Sequence, residues 1–309
     1  MLLDIILIII GVAMVLGGAD RLTEGASALA RRMNIPEIII GLTVVAAGTS
    51  APELFVSLVS ALKGTPDMAM GNVVGSNTMN AMLIVGCAAM VAPMTISRNT
   101  VKKDIPFSVA ASVLLILIAF DSFLSRLDGI LLLIGFAAFL YYGIKTAKSS
   151  QSTTVVANSP LSMLRSTLYL LLGLTLLIVG SNVFVDSASR VAYSLGISEG
   201  VVGLTIVAGG TSLPELATSV VAARKGQSAI AIGNVIGSNV FNILLILGTT
   251  AVISPMQIHG ITIVDMSMML GSVALVWLFS YTRYTVERWE GALLLGAYLV
   301  YLGWLLSNV

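Results

Sequence analysis

Apolar runs of about twenty residues, separated by short polar stretches, make up almost the entire chain. A helix needs ~20 apolar residues to cross a hydrocarbon layer. On that basis the pattern predicts ten spans, at roughly 2–30, 36–62, 67–92, 104–121, 127–146, 161–193, 199–223, 228–254, 261–280 and 288–307. The first and sixth are longer than a perpendicular crossing requires, so both are expected to tilt. The runs are continuous, without the alternation of a membrane β-barrel. The only sizeable polar stretch runs from Lys145 to Pro160, and it reads as a flexible connector. The chain therefore divides into a first five-helix repeat, 1–147, a cytoplasmic linker, 148–160, and a second five-helix repeat, 161–309. The opening stretch MLLDIILIIIGVAMVLGG lacks the positive start and cleavage site of a signal peptide, and Leu168–Gly180 matches it, so it reads as the first span.

The polar positions inside the spans sharpen this division. GLTVVAAGTSAPELFVS, Gly41–Ser57, is nearly repeated as GLTIVAGGTSLPELATS, Gly203–Ser219. GNVVGSNTMN, Gly71–Asn80, recurs as GNVIGSNVFN, Gly233–Asn242. Each pair is offset by 162 positions without a gap, which places Glu53 on Glu215 and Asn80 on Asn242. Two apolar helices resembling each other by composition would not share GTS, PEL, GN and GSN. An odd number of spans before the second copy inverts it, so equivalent segments enter from opposite faces and meet near the midplane. The expected fold is an all-α polytopic membrane protein of ten transmembrane helices, arranged as two inverted five-helix repeats.

Charge gives the orientation. With the N-terminus outside, twelve lysines and arginines fall in cytoplasmic loops (Arg31, Arg32, Arg98, Lys102, Lys103, Lys145, Lys148, Arg165, Arg224, Lys225, Arg283 and Arg288), against Lys63, Arg126 and Arg190 outside. Positive charge favours the cytoplasm, so both termini are expected on the external or periplasmic side of a plasma (inner) membrane. With 57% hydrophobic and 10% charged residues, composition agrees with a membrane protein, and a net charge of +1 offers nothing to nucleic acid. His259 is the only histidine and Cys87 the only cysteine, which removes zinc-protease and Ser-His-Asp chemistry and any internal disulfide.

A carboxylate at membrane depth is costly and is read as functional. Seen as one continuous helix, the second span places Glu53 near its middle, and Pro52 is expected to interrupt the ladder and release the carbonyls of Ala46 and Ala47. Pro214 is expected to act likewise on Ala208 and Gly209. The oxygen inventory is then two carboxylates, the hydroxyls of Thr49, Ser50, Thr211 and Ser212, the amides of Asn80 and Asn242, and backbone carbonyls. Ser76, Asn77, Ser238 and Asn239 add to it from the second motif. Such a set suits Ca²⁺, which takes six to eight oxygen ligands, while the same oxygens can hold Na⁺. Softer metals prefer thiolate or imidazole. Other charges read as structural: Arg21 and Glu24 as an i, i+3 ion pair, and Asp265 as an acid in the first turn of its helix.

At these motifs the chain resembles the sodium/calcium exchanger family of the cation/calcium antiporter superfamily, especially its compact prokaryotic members, over essentially its whole length. GTSAPE with GNVVGSNTMN resembles the first α-repeat, and GTSLPE with GNVIGSNVFN the second. The resemblance implies that Glu53 and Glu215 are central Ca²⁺ ligands. It implies that Ser50, Ser76, Ser212 and Ser238 line Na⁺ positions, with Thr49, Thr211 and the carbonyls of Ala46 and Ala208 contributing. It also implies that the first and sixth helices slide across the bundle. Asn242 stands where many members have aspartate, so the cage holds two acids instead of three. The implied function is Ca²⁺/Na⁺ antiport by alternating access, with Ca²⁺/H⁺ or another monovalent counter-ion on the same fold as the alternative. An acid-based intramembrane hydrolase and a passive channel fit less well, so no enzyme activity, cofactor or obligate protein partner is expected.

Overall fold

The structure, a computed structural model, describes residues 1–150, 161–196, 206 and 208–307. It is all-helical apart from two short ladders. In chain order the helices are α1 (Leu2–Met33), α2 (Glu37–Thr49), α3 (Ala51–Leu62), α4 (Pro66–Val91), α5 (Ile105–Ile118), α6 (Arg126–Ser150), α7 (Met163–Ser194), α8 (Ala208–Thr211), α9 (Leu213–Arg224), α10 (Ser228–Ile253), α11 (Ile263–Arg283) and α12 (Arg288–Ser307). Among the described residues seven helices are long and apolar enough to cross a membrane, or eight if α2 and α3 form one bent span. The expected span at 104–121 appears as the fourteen-residue α5 behind a π-helical turn at Thr100–Asp104. The expected span at 199–223 appears as α8 and α9, and its first part lies outside the described residues, as do residues 151–160 of the linker.

Local chemistry sets the helix ends. Asn34 closes α1 in the left-handed region, at φ 54°, a conformation asparagine tolerates. Thr262 and Asp265 form a reciprocal capping box at the start of α11, so Asp265 is a cap, a sharper role than a first-turn acid. The Asp128 carboxylate accepts the Ser125 N–H at 2.9 Å at the start of α6, and Glu290 accepts the Glu287 N–H at 2.8 Å at the start of α12.

The prolines act differently from the expectation of an interrupted ladder. The chain ends α2 at Thr49, turns at Ser50 (φ −83°, ψ 7°), and restarts as α3, with a bend of 46°. Pro52 falls in the first turn of α3, where its missing N–H costs no hydrogen bond. Ser212 (φ −91°, ψ 6°) breaks the second copy in the same way, ahead of Pro214. The Ala46 carbonyl is consequently not released: it accepts the Ser50 N–H at 2.9 Å.

Helices α4 and α10 are the most buried of the long helices, whereas α1, α6, α7, α11 and α12 present much of their apolar surface outward. Large side chains such as Leu2, Ile5, Ile9, Leu16, Leu164, Leu168 and Leu171 are exposed on α1 and α7. An exterior of this kind belongs in lipid, and the chain is a multi-pass membrane protein. Helices α1 and α7 pack on each other antiparallel: a Cβ on Gly18 would lie 2.8 Å from the Gly173 carbonyl, and one on Gly180 would lie 3.0 Å from the Gly11 carbonyl. Strands β1 (Met94–Thr95), β2 (Phe123–Leu124), β3 (Met256–Gln257) and β4 (Thr285–Val286) pair as β1 with β4 and β2 with β3. Because β3 and β4 lie 162 residues after β1 and β2, each ladder is the other with its halves exchanged.

Candidate cation site

Each motif glutamate occupies the first turn of a half-helix, Glu53 in α3 and Glu215 in α9, and each is only 1% exposed. The breaks just before them carry Ser50 and Ser212, and these serines cross over. Ser50 Oγ donates to Glu215 Oε1 at 3.0 Å, and Ser212 Oγ donates to Glu53 Oε1 at 3.2 Å. Each carboxylate is therefore held by the other half's break, and the two motifs build one constellation. Ser238 Oγ reaches Glu215 Oε1 at 3.4 Å, while Ser76 Oγ lies 3.2 Å from Ser212 Oγ.

Asparagines of α4 and α10 brace this arrangement. Asn72 Nδ2 donates to the Glu53 carbonyl at 3.1 Å and to Ser57 Oγ at 2.9 Å; Asn234 Nδ2 donates to the Glu215 carbonyl at 3.2 Å and to Ser219 Oγ at 3.0 Å. Thr49 Oγ1 donates to Asn234 Oδ1 at 3.0 Å. Thr211 is the last residue of α8, beside the second break, and Ala208 is its first. At the crossing of α4 and α10, Asn77 Nδ2 donates to the Asn239 carbonyl at 3.1 Å. Asn80 Nδ2 donates to Asn239 Oδ1 at 3.1 Å, and Asn242 Nδ2 to Asn77 Oδ1 at 3.0 Å. Asn80 opens a π-helical turn and Asn242 lies in another; such turns often mark functional positions in helices.

Four of these buried oxygens receive no hydrogen bond: Glu53 Oε2, Glu215 Oε2, Asn80 Oδ1 and Asn242 Oδ1. Buried polar atoms are nearly always partnered. A set of four orphans forming two pairs 162 residues apart is a donor set for something that accepts lone pairs. Among the described residues no group of three or more His, Cys, Asp and Glu stands together, so any cation here is held by two acids and neutral oxygens. That composition fits a hard cation and offers nothing to a soft one.

Several contributions to this geometry escaped the sequence reading. Asn72 and Asn234 lie in the duplicated GN pair that opens the second motif, and that duplication was the signal available. Ser181 of α7 donates to the Gly210 carbonyl next to the second break; its first-half equivalent is Ala19, so duplication could not reveal it. Arg21 and Glu24 do pair, at 3.4 Å on an exposed face. A second bridge at that end of α1 joins Asp20 to Lys225, at 2.6 Å, just past α9.

The sodium/calcium exchanger protein family matches residues 3–145 and 165–307, two segments that repeat the 162-residue offset. The inner membrane protein YrbG of Escherichia coli is 39% identical over 99% of this chain and 97% of its own. The sodium/calcium exchanger MaX1 of Methanosarcina acetivorans is 30% identical over 97% of each. Among solved structures, the sodium-calcium exchanger NCX_Mj, soaked with Na⁺ and Ca²⁺, superimposes with a TM-score of 0.87 at 32% identity, covering 97% of this chain and 98% of that one. On this agreement of sequence and fold along its full length, the chain belongs to the sodium/calcium exchanger family.

Proposed function

We propose that this protein is a secondary antiporter that exchanges Ca²⁺ for Na⁺ by alternating access at one midplane site. The observation that carries the proposal is the set of four unpartnered buried oxygens on Glu53, Glu215, Asn80 and Asn242. Two carboxylates match one Ca²⁺ in charge, and the serine hydroxyls of both breaks lie within reach to extend the coordination. Na⁺ would use the same oxygens, so occupancy by one ion excludes the other, as exchange demands. Thr49, Ser50, Ser76, Thr211, Ser212 and Ser238 would serve as ligands or orient them, with the backbone at Ala46 and Ala208 alongside.

The reading places the site between two inverted five-helix repeats. Helices α2 with α3, α5, and α8 with α9 would complete ten spans with the seven long helices. The exchanged ladders and crossed serines support an inverted duplication, since each contact recurs with the halves swapped. The lysine and arginine distribution supports external termini, and the named location of the Escherichia coli relative supports the inner membrane. The long antiparallel pair α1 and α7 would move against the rest, as the family resemblance implies; their backbone-to-backbone contact and outward apolar faces support movement as a unit.

The test is ⁴⁵Ca²⁺ uptake into proteoliposomes under an outward Na⁺ gradient alone, a pH gradient alone and a K⁺ gradient alone. Uptake is expected with Na⁺, and Glu53→Gln and Glu215→Gln are each expected to reduce it to background. Transport in either variant would overturn the site; uptake with H⁺ or K⁺ only would overturn the counter-ion.

A further inference from the structure

Duplication gives each contact of one half a counterpart in the other, so a contact made at one end only distinguishes the two ends. Two such contacts hold the end of α1 that the charge asymmetry puts in the cytoplasm. Lys225, just past α9, directs its ammonium at α1. Its Nζ lies 2.6 Å from Asp20 Oδ1, and it donates to the Asp20 carbonyl at 2.8 Å and to Thr23 Oγ1 at 3.1 Å. One turn further along α1, Ser27 Oγ donates to Glu37 Oε1 at the start of α2, and Arg31 Nη2 lies 3.6 Å from the same oxygen. Thr23, Ser27 and Ala30 share this face of the helix and are buried.

The counterparts at the other end are unmade. Lys63 ends α3 as Lys225 ends α9, at φ −83°, ψ 0° against φ −79°, ψ 0°, and each is followed by a left-handed glycine, Gly64 or Gly226. Among the described residues, however, Lys63 makes no ion pair. The positions of α7 equivalent to Asp20 and Thr23 are Asn182 and Val185, which lack the carboxylate and the hydroxyl. Ser189, the counterpart of Ser27, has a buried hydroxyl without a partner. Burial follows the same asymmetry: Leu22, Thr23 and Ala26 are fully buried, whereas Phe184, Val185 and Ala188 are only part-buried.

We propose that Lys225 and Glu37 form a latch that holds α1 against α9 and α2 and keeps the cytoplasmic approach to the cation site closed, with Lys63 and α7 as its weaker counterpart in the opposite state. The latch rests on the alternating-access reading and adds the residues that bias it. Sliding of the α1 and α7 pair must break the Lys225 contacts. The exchanged arrangement offers Lys63, at the equivalent positions, only the neutral oxygens of Asn182. The state closed to the cytoplasm is therefore favoured when no ion is bound. Both side chains of the Asp20–Lys225 bridge are part-exposed, at 47% and 29%, so the bias is small. A small bias is what bound ions can overcome through their differential affinity for the two states.

The experiment places Ala30→Cys in a Cys87→Ala background and uses inverted membrane vesicles without Na⁺ or Ca²⁺. An impermeant maleimide then reaches the cytoplasmic face, and its rate of reaction at position 30 reports opening there. Lys225→Met is expected to raise that rate about two- to fivefold. Asn182→Asp with Val185→Thr gives Lys63 the ligands that Lys225 has, and it is expected to raise the rate too, by stabilising the opposite state. Lys63→Met should be silent alone and should cancel the effect of the α7 pair, which a local loosening of α1 would not produce. Unchanged labelling in both Lys225→Met and the α7 pair, in variants that still exchange Ca²⁺, would overturn the latch. An increase from the α7 pair that survives Lys63→Met would overturn the role of Lys63. Wild-type vesicles without Na⁺-driven ⁴⁵Ca²⁺ uptake would instead remove the antiport reading.

Discussion

Ser50 and Ser212 show how much one hydroxyl decides at this site. Each ends one half-helix and donates across to the carboxylate of the other half. A hydrogen bond to a charged group contributes about 1.5–3 kcal/mol, so Ser50→Ala and Ser212→Ala should each lower the efficiency of Ca²⁺ uptake by about 10- to 100-fold. The two effects should match within a few-fold, because the contacts are copies; uptake at varied Ca²⁺ would measure both. Asn72→Ala removes two hydrogen bonds that tie α4 to α3, leaving the Glu53 carbonyl short of a partner. It should lower the melting temperature by several degrees in detergent, and Asn234→Ala should do the same. The acids and serines were legible as candidates because polar residues inside duplicated apolar runs stand out. The amide orientations were not legible, since Asn77 and Asn239 meet each other 162 residues apart. Ala46 was misread because a proline releases carbonyls only inside a helix, and the chain breaks before Pro52.

Helices α1 and α7 touch backbone to backbone along their crossing. A Cβ on Gly173 would sit 2.5 Å from the Leu22 nitrogen and 2.7 Å from the Gly18 carbonyl, with no flexible side chain to give way. Gly173→Val should therefore push the pair apart, at a cost of about 1–3 kcal/mol for overpacking. Thermal melts should register the loss in stability, and ⁴⁵Ca²⁺ uptake should fall with it if the pair moves as a unit. The bridge from Asp20 to Lys225 tells the opposite story. Its side chains are 47% and 29% exposed, so Lys225→Met should change stability by less than about 1 kcal/mol. Hydropathy located α1, α4, α6, α7, α10, α11 and α12 within a few residues, because long apolar runs carry their own signal. It rendered α2 with α3 as one span interrupted at Pro52, since a 46° bend at Ser50 leaves no mark on an apolar average.

At the scale of the molecule, the exchanged ladders, crossed serines and paired asparagines describe two halves that serve as each other's partner. The topology proposed for them can be read directly. With Cys87 replaced by alanine, Lys63→Cys should react with an impermeant maleimide added outside, and Arg224→Cys only after permeabilisation. Equal labelling of both from outside would overturn the orientation. Ligand linkage gives a further check, since an ion that binds only the folded state raises the melting temperature with concentration. Ca²⁺ should stabilise the wild-type protein, and Glu53→Gln should abolish that stabilisation.

By itself the sequence determined that the chain is a helical membrane protein, that it is duplicated, and that two buried acids sit at equivalent positions. Those are properties of composition, period and repetition, and they survive without knowing which residues touch. Only the tertiary structure decided that each serine serves the other half's glutamate, that Ala46 keeps its helical partner, and that four oxygens are left without donors. The physical reason is that a hydrogen bond is directional and joins two particular atoms: those of the crossed serines lie more than a hundred residues apart, and the Ala46 partner depends on where the helix breaks. Which partner an amide nitrogen finds depends on the opposite half of the chain, as Asn77 and Asn239 show at the crossing of α4 and α10.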